Sequence, residues 1–256
     1  MVLHNLRLIS LISLSMLAVL STIAQAEEKN WNFSVGGGVM YGPAYEGSDK
    51  YVVIPLPDVS VEFKNGLFFA NAWDGIGSYP LQDENYKVGV SIGFAPGRSE
   101  EDDTKNLRGM GDIDMGAAAN LMGEYDFGFA KLSGKISKGT EDYGTTATVE
   151  LGKLFPVTEQ LMVMGSVGIA WADADHMNSY FGVSSTQSAR SGYSRYDAES
   201  GVKAVSFTVG AFYNITEHWN AKLMVKGNQL LGDAADSPIT KEDFNPSVIL
   251  TTSYKF

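Results

Sequence analysis

The chain contains no cysteine. That absence excludes a disulfide framework, a thiolate nucleophile and a cysteine-based metal site. Positive charge is scarce too, with 19 Lys and Arg against 30 Asp and Glu. Such a chain has no basic patch for phosphate, which excludes nucleic acid as a partner. Only three histidines occur, His4, His176 and His218. Beyond Leu8–Ala24 there is no run of about 18 apolar residues, so no other segment reads as a membrane-spanning helix.

What is present begins with a leader. His4 and Arg7 form a weak basic start, Leu8–Ala24 is apolar, and Ala24-Gln25-Ala26 is a small-x-small cleavage site. Residues 1–26 read as a signal peptide for export, and no cysteine near residue 26 marks a lipoprotein. Residues 27–256 then form one domain, with 18 basic residues left against 30 acidic.

The mature chain alternates. In Pro246–Phe256 one face holds Val248, Leu250, Thr252, Tyr254 and Phe256, and the other Ser247, Ile249, Thr251, Ser253 and Lys255. Strands send successive side chains to opposite faces, so each such run has an oily and a wetter side. Trp31, Phe33, Val35, Gly37, Val39 and Tyr41 share a face. The rings of Trp31 and Tyr41 would lie roughly 25 Å apart along a tilted strand, the height of the apolar band in outer-membrane barrels, whose edges carry aromatic girdles. The runs at Tyr86–Phe94, Leu161–Trp171 and Phe207–Tyr213 follow the same grammar.

Short connections at Lys64–Gly66, Gln82–Asn85, Asp126–Gly128, Pro156–Gln160 and Thr216–His218 punctuate the runs. Long ones fall at Gly42–Tyr51, Pro96–Asp112, Asp173–Val202 and Gly232–Asn245. Membrane barrels alternate short periplasmic turns with long external loops. Alternation fails between residues 67 and 95 unless the chain turns at Asp74-Gly75, a favoured hairpin dipeptide. Splitting there gives a strand at Leu67–Trp73 and a short one at Ile76–Leu81. The expected fold is an all-β, transmembrane, antiparallel up-and-down barrel of twelve strands, with ten as the alternative. Pro55 and Pro57, which cannot donate a ladder bond, mark an irregular part of the second strand.

Periodicity does not say which face points out. Charge does. The wetter face carries Asp58, Glu62, Asp112, Asp114, Glu124 and Glu150 against Lys87, Lys131, Lys135, Lys222, Lys226 and Lys255. That face is neutral in an acidic chain, so the excess acid lies in connections. A neutral, ion-paired lumen with oily residues facing lipid fits, and a closed sheet is what lipid requires of a backbone.

Two connections stand out as sites. One contains Tyr180, Phe181, Gly182, Val183, Arg190, Ser191, Gly192 and Arg195; the other contains Asp233, Asp236, Ser237 and Pro238. Long loops of this kind either plug the mouth or bind a partner. Together with GGGVMYGPAYEGSD at Gly36–Asp49 and IPLP at Ile54–Pro57, the motifs SYFGVSSTQSARSGY at Ser179–Tyr193 and LLGDAADSPIT at Leu230–Thr240 resemble the MipA/OmpV family, MipA standing for MltA-interacting protein. The resemblance spans nearly the whole mature chain. It implies an outer-membrane barrel, contacting lipid and lipopolysaccharide, with no catalytic residues. For one branch it implies a scaffold between a lytic transglycosylase and a murein synthase; for the other, a solute channel or a surface adhesin.

Other chemistry has weaker grounds. Asp173, Asp175 and His176 sit beside serines, but strand parity puts His176 and His218 at opposite ends, and no nucleophile stands beside a base. The acidic run Glu100–Asp103 lacks the spaced ligands of a calcium loop and reads as a solvated connection. No metal or cofactor is expected.

Overall fold

The computed structural model describes residues 30–140 and 142–256; the expected leader lies outside them. Twelve antiparallel strands, each hydrogen-bonded to its chain neighbours, close where β1 meets β12. They are β1 (Trp31–Pro43), β2 (Tyr51–Phe63), β3 (Phe68–Asn71), β4 (Gly75–Gln82), β5 (Tyr86–Ala95), β6 (Gly116–Asp126), β7 (Lys131–Gly139), β8 (Thr145–Pro156), β9 (Leu161–Ala172), β10 (Gly201–Asn214), β11 (Trp219–Leu230) and β12 (Phe244–Lys255). The expected twelve-stranded up-and-down barrel is the fold observed. Closure leaves no terminal sheet edge, which is the physical demand of lipid on a β-structure.

The oily face is outside. Along β5, Tyr86, Val88, Val90, Ile92 and Phe94 are exposed while Gly89, Ser91, Gly93 and Ala95 are buried. Val167 and Ile169 on β9, Val209 on β10, Leu223 on β11 and Leu250 on β12 are also exposed. Polar wall residues are buried inside: Ser91, Asn120, Ser137, Ser166, Thr208, Thr251 and Ser253. A soluble barrel would invert this pattern. Trp31 and Tyr41 both lie in β1 and both are exposed.

The split at Asp74-Gly75 holds, with one correction. The short piece is β3, of four residues, and β4 has eight. Asn71 causes the early stop: its side-chain oxygen accepts the backbone N–H groups of Trp73 and Asp74, and Gly75 takes a left-handed φ of 79°. β3 pairs only with Ser60–Phe63 of β2. Pro55 and Pro57 lie beyond that reach, where a missing donor costs no ladder bond to β3. β2 therefore runs through both prolines.

Five short connections share one end of the barrel with the C-terminus, since Trp219 pairs opposite Tyr254. The longer connections gather at the other end, as in barrels whose loops face outward.

Candidate functional site: the closed outer mouth

The connection between β9 and β10 is not bare loop. Helix α1 (Ala174–Phe181) and helix α2 (Ser185–Ser191) form within it, and a single turn, α3 (Gly232–Ala235), forms in the connection after β11. Each of the first two starts on a cap. Asp173 accepts the N–H of His176, and Ser184 with Gln187 makes a reciprocal capping box. Gly192 ends α2 at a φ of 83°. Helices of eight and seven residues make only about two turns each, too few for a 3.6-residue pattern to stand out, which is why the sequence suggested plain loop.

Both singled-out loops pack into one plug. Met177 and Phe181 of α1 lie buried with Ala172, Ala198, Ala204, Leu230 and Ala234. Val183 lies buried with Tyr45, Leu107, Met110 and Ile239. Tyr196 touches both clusters. Val183 and Tyr196 exchange two backbone hydrogen bonds, 2.8 and 3.0 Å. Ser237 Oγ donates to the Phe181 carbonyl at 2.5 Å, and Tyr196 donates its hydroxyl to the Asp233 carbonyl at 3.0 Å. Asp233 also accepts the Glu199 N–H at 2.7 Å. Asp236 closes α3 through its N–H, and the Pro238 carbonyl accepts Lys241 Nζ at 2.7 Å. Gly182 caps α1, and Ser191 Oγ accepts the Tyr193 N–H. Arg190 lies on the exposed side of α2, and Arg195 pairs with Asp197 at 2.9 Å in solvent.

Two buried groups in this plug escaped the sequence reading. Arg98 donates from Nη1 to the Tyr180 carbonyl at 2.7 Å while its Nε and Nη2 find no protein acceptor. Burial lowers the Arg98 pKa; Tyr45 and Tyr180 lead the opposing influences. Burial pushes the Tyr180 phenol up to about 12, and its hydroxyl donates to the Pro96 carbonyl. The second group is the contact of Lys203 with Glu46 at 2.7 Å and with His176 at 3.1 Å. No spacing rule links residues 46, 176 and 203; only the folded loops bring them together.

The acidic run forms a 3₁₀ turn, Glu100–Asp103, whose carboxylates serve neighbouring groups. Glu100 accepts the Gly111 N–H at 2.5 Å, Asp102 the Ser99 N–H, and Asp103 the Asn106 amide.

Below the plug the lumen is crossed by ion pairs. Asp58 on β2 meets Lys222 on β11 at 3.0 Å and accepts from Thr251 at 2.9 Å. Glu124 meets Lys131 at 3.2 Å. Lys135 pairs with Asp74 at 2.9 Å, a partner supplied by the early β3 turn rather than by the strand face. Lys87 donates to the Asn65 carbonyl and lies over Tyr79; Glu62 lies near the Lys64–Gly66 turn. Lys255 is exposed at the strand end. Asp112 and Asp114 need correction: they precede β6, outside the wall, where Asp112 accepts from Ser99 and Glu100. Alternation carried past the end of a strand misplaced them. A cavity of about 310 Å³ remains inside, with Glu150, Lys226, Lys135 and Ala204 among its walls.

His218 sits at the far end of the barrel, its Nδ1 3.0 Å from the Lys255 carbonyl and its ring stacked on Tyr254. The two histidines among the described residues therefore share no site.

An outward apolar belt around a polar, plugged lumen defines an outer-membrane β-barrel. The family model for the MltA-interacting protein MipA matches residues 35–256, and the chain belongs to that family. The MltA-interacting proteins of Escherichia coli strain K12 and Shigella flexneri are each 24% identical to it over 245 residues, 94% of this chain and 96% of theirs. Among solved structures, an outer membrane channel from Pseudomonas putida F1 superposes with a TM-score of 0.51 at 12% identity, covering 90% of this chain and 97% of the channel. The NanC porin has a TM-score of 0.44 at 8% identity, covering 88% of this chain and 100% of the porin.

Proposed function

We propose that this barrel is a noncatalytic docking protein of the Gram-negative outer membrane that holds murein-remodelling enzymes, a lytic transglycosylase and a murein synthase, against their substrate. A leader at residues 1–26, removed after Ala26, delivers it, and lipid and lipopolysaccharide surround it. The observation that carries the reading is the plug. Two apolar clusters and both long loops occupy the mouth, so wall and loops spend their chemistry on holding a rigid body rather than on a wide pore. The relatives' name, MltA-interacting, points the same way. His176 meets the Lys203 ammonium through one ring nitrogen and the Tyr143 carbonyl through the other, so both nitrogens serve to hold the plug together.

The periplasmic end offers a docking face despite its short turns. Phe127, Phe129, Val157, Ile215 and Phe256 are exposed there. Cross-linking intact envelopes and identifying partners by mass tests the reading. Recovery of a lytic transglycosylase with the barrel is expected, and its absence, with purified enzyme also failing to bind, overturns it. The internal cavity favours a second reading, a narrow solute channel, for which steady conductance steps at neutral pH would be the sign.

A further inference from the structure

β10 changes register between Val202 and Ala204. Val202 is exposed outside the barrel and Ala204, two residues on, is buried within. In a regular strand they would share a face. The bulge reverses the parity and turns Lys203 inward. Its ammonium lies 2.7 Å from Glu46 Oε2 and 3.1 Å from His176 Nε2. The other ring nitrogen, Nδ1, lies 2.7 Å from the Tyr143 carbonyl oxygen. A carbonyl only accepts, so Nδ1 bears the proton; an ammonium only donates, so Nε2 accepts. The imidazole is thus held neutral in one tautomer, 3% exposed, stacked on Tyr180 at 4.4 Å.

Three separate pieces meet at this point: the β1–β2 connection through Glu46, helix α1 through His176, and the barrel wall through Lys203. Ala170 and Ala204 border the lumen cavity and also pack in the cluster that contains Met177 and Phe181. Helix α1 therefore packs on the same wall residues that border the cavity, and the Lys203 contacts fasten it there.

We propose that Glu46, Lys203 and His176 form an acid-released latch, which keeps the plug closed at neutral pH and lets small solutes through the lumen when the outer face is acidified. A proton on Nε2 removes the acceptor that Lys203 uses and sets a second cation 3.1 Å from its ammonium. Glu46 and Asp173 attract that cation, and Lys226 competes for Glu46. Tyr143 meets the ring edge-on and Tyr180 stacks on it. One carboxylate, Glu46, then faces three positive groups.

The direction follows from linkage. Burial, then the Lys203 charge, lowers His176 from its ordinary 6.5 to about 4 in the closed state; the Tyr143 carbonyl, Glu46 and Asp173 oppose them. A released imidazole binds its proton more readily. The closed form is therefore fully favoured above about 6.5 and loses ground as pH falls towards about 4, by up to about tenfold per pH unit. Burial raises Glu46, but Lys203 prevails and leaves it lowered, so its pairing holds through most of that window.

This inference goes beyond the docking role and is tested apart from it. The chain has no native cysteine, so a single cysteine at Ser179 on α1 can carry a spin label. Spectra of the refolded barrel at pH 7 and pH 3.5 report helix mobility, while planar-bilayer recordings report conductance. The wild type should show an immobile label and closed lumen at pH 7, then a mobile label and conductance in acid. His176→Asn and His176→Gln, which cannot titrate, should lose the acid response; two variants guard against one misfolding, and heat-modifiable migration confirms a folded barrel. A label equally immobile at both pH values, the same acid response in both variants, or mobility without conductance would each overturn the proposal.

Discussion

At Gly182 the chain leaves helix α1 for the bridge at Val183, and an added Cβ would lie 2.4 Å from the Asn178 carbonyl oxygen. Backbone cannot move aside as a flexible side chain can. Gly182→Val should therefore loosen the plug while the barrel stays folded. Limited proteolysis within residues 173–200 should accelerate, with heat-modifiable migration unchanged. Phe181, wholly buried, makes the same point through packing. Phe181→Ala leaves a cavity at a cost of about 3–5 kcal/mol, borne by the plug. Deeper in the lumen, Asp58→Ala strands Lys222 and Thr251 without their acceptor. The expected loss is about 1–3 kcal/mol, read as a lower midpoint in urea unfolding from detergent micelles.

Among the elements, the strands and the plug answer to different rules. Strands are held by a closed ladder; α1 and α2 are held by caps, clusters and a few loop-to-loop bonds. Removing Ser179–Tyr193 should therefore open the outer mouth and raise conductance, yet leave the barrel folded. If partner enzymes dock at the periplasmic turns, pull-down should be unaffected by the deletion; loss of binding would move the docking site to the outer loops. β3 shows how a small local feature sets the wall. Four residues and an Asn71 turn place Asp74 where Lys135 can reach it, a pairing that strand parity could not foresee.

For the molecule as a whole, the deciding quantity is the environment of each face. Leu250→Arg puts a charge on the lipid side near mid-wall and should cost about 2–4 kcal/mol, seen as a reduced folded fraction in lipid vesicles. Thr252 on the same face lies nearer the strand end, where an arginine should be better tolerated. Swapping a lumen residue such as Ser206 to Lys should change ion selectivity of any open state far more than stability.

The barrel was legible because strand alternation is local: period two, girdle spacing and turn dipeptides are written in neighbouring residues, and the chain's excess acid falls in its connections rather than on the wet face. The strand count and even the Asp74-Gly75 turn followed from that grammar. The site was not legible in the same way. Sequence named Tyr180–Val183 and Ser237 as notable, but their meeting across the mouth depends on contacts tens of residues apart, and the Asp112 and Asp114 assignment failed where alternation ran past its strand. Glu46, His176 and Lys203 come from three distant segments, joined by a one-residue bulge that no alternation pattern announces. Local periodicity separates the oily face of each strand from its wetter one; long-range closure alone decides which loop residues stand within hydrogen-bond reach, because that depends on register and stagger accumulated around the whole wall.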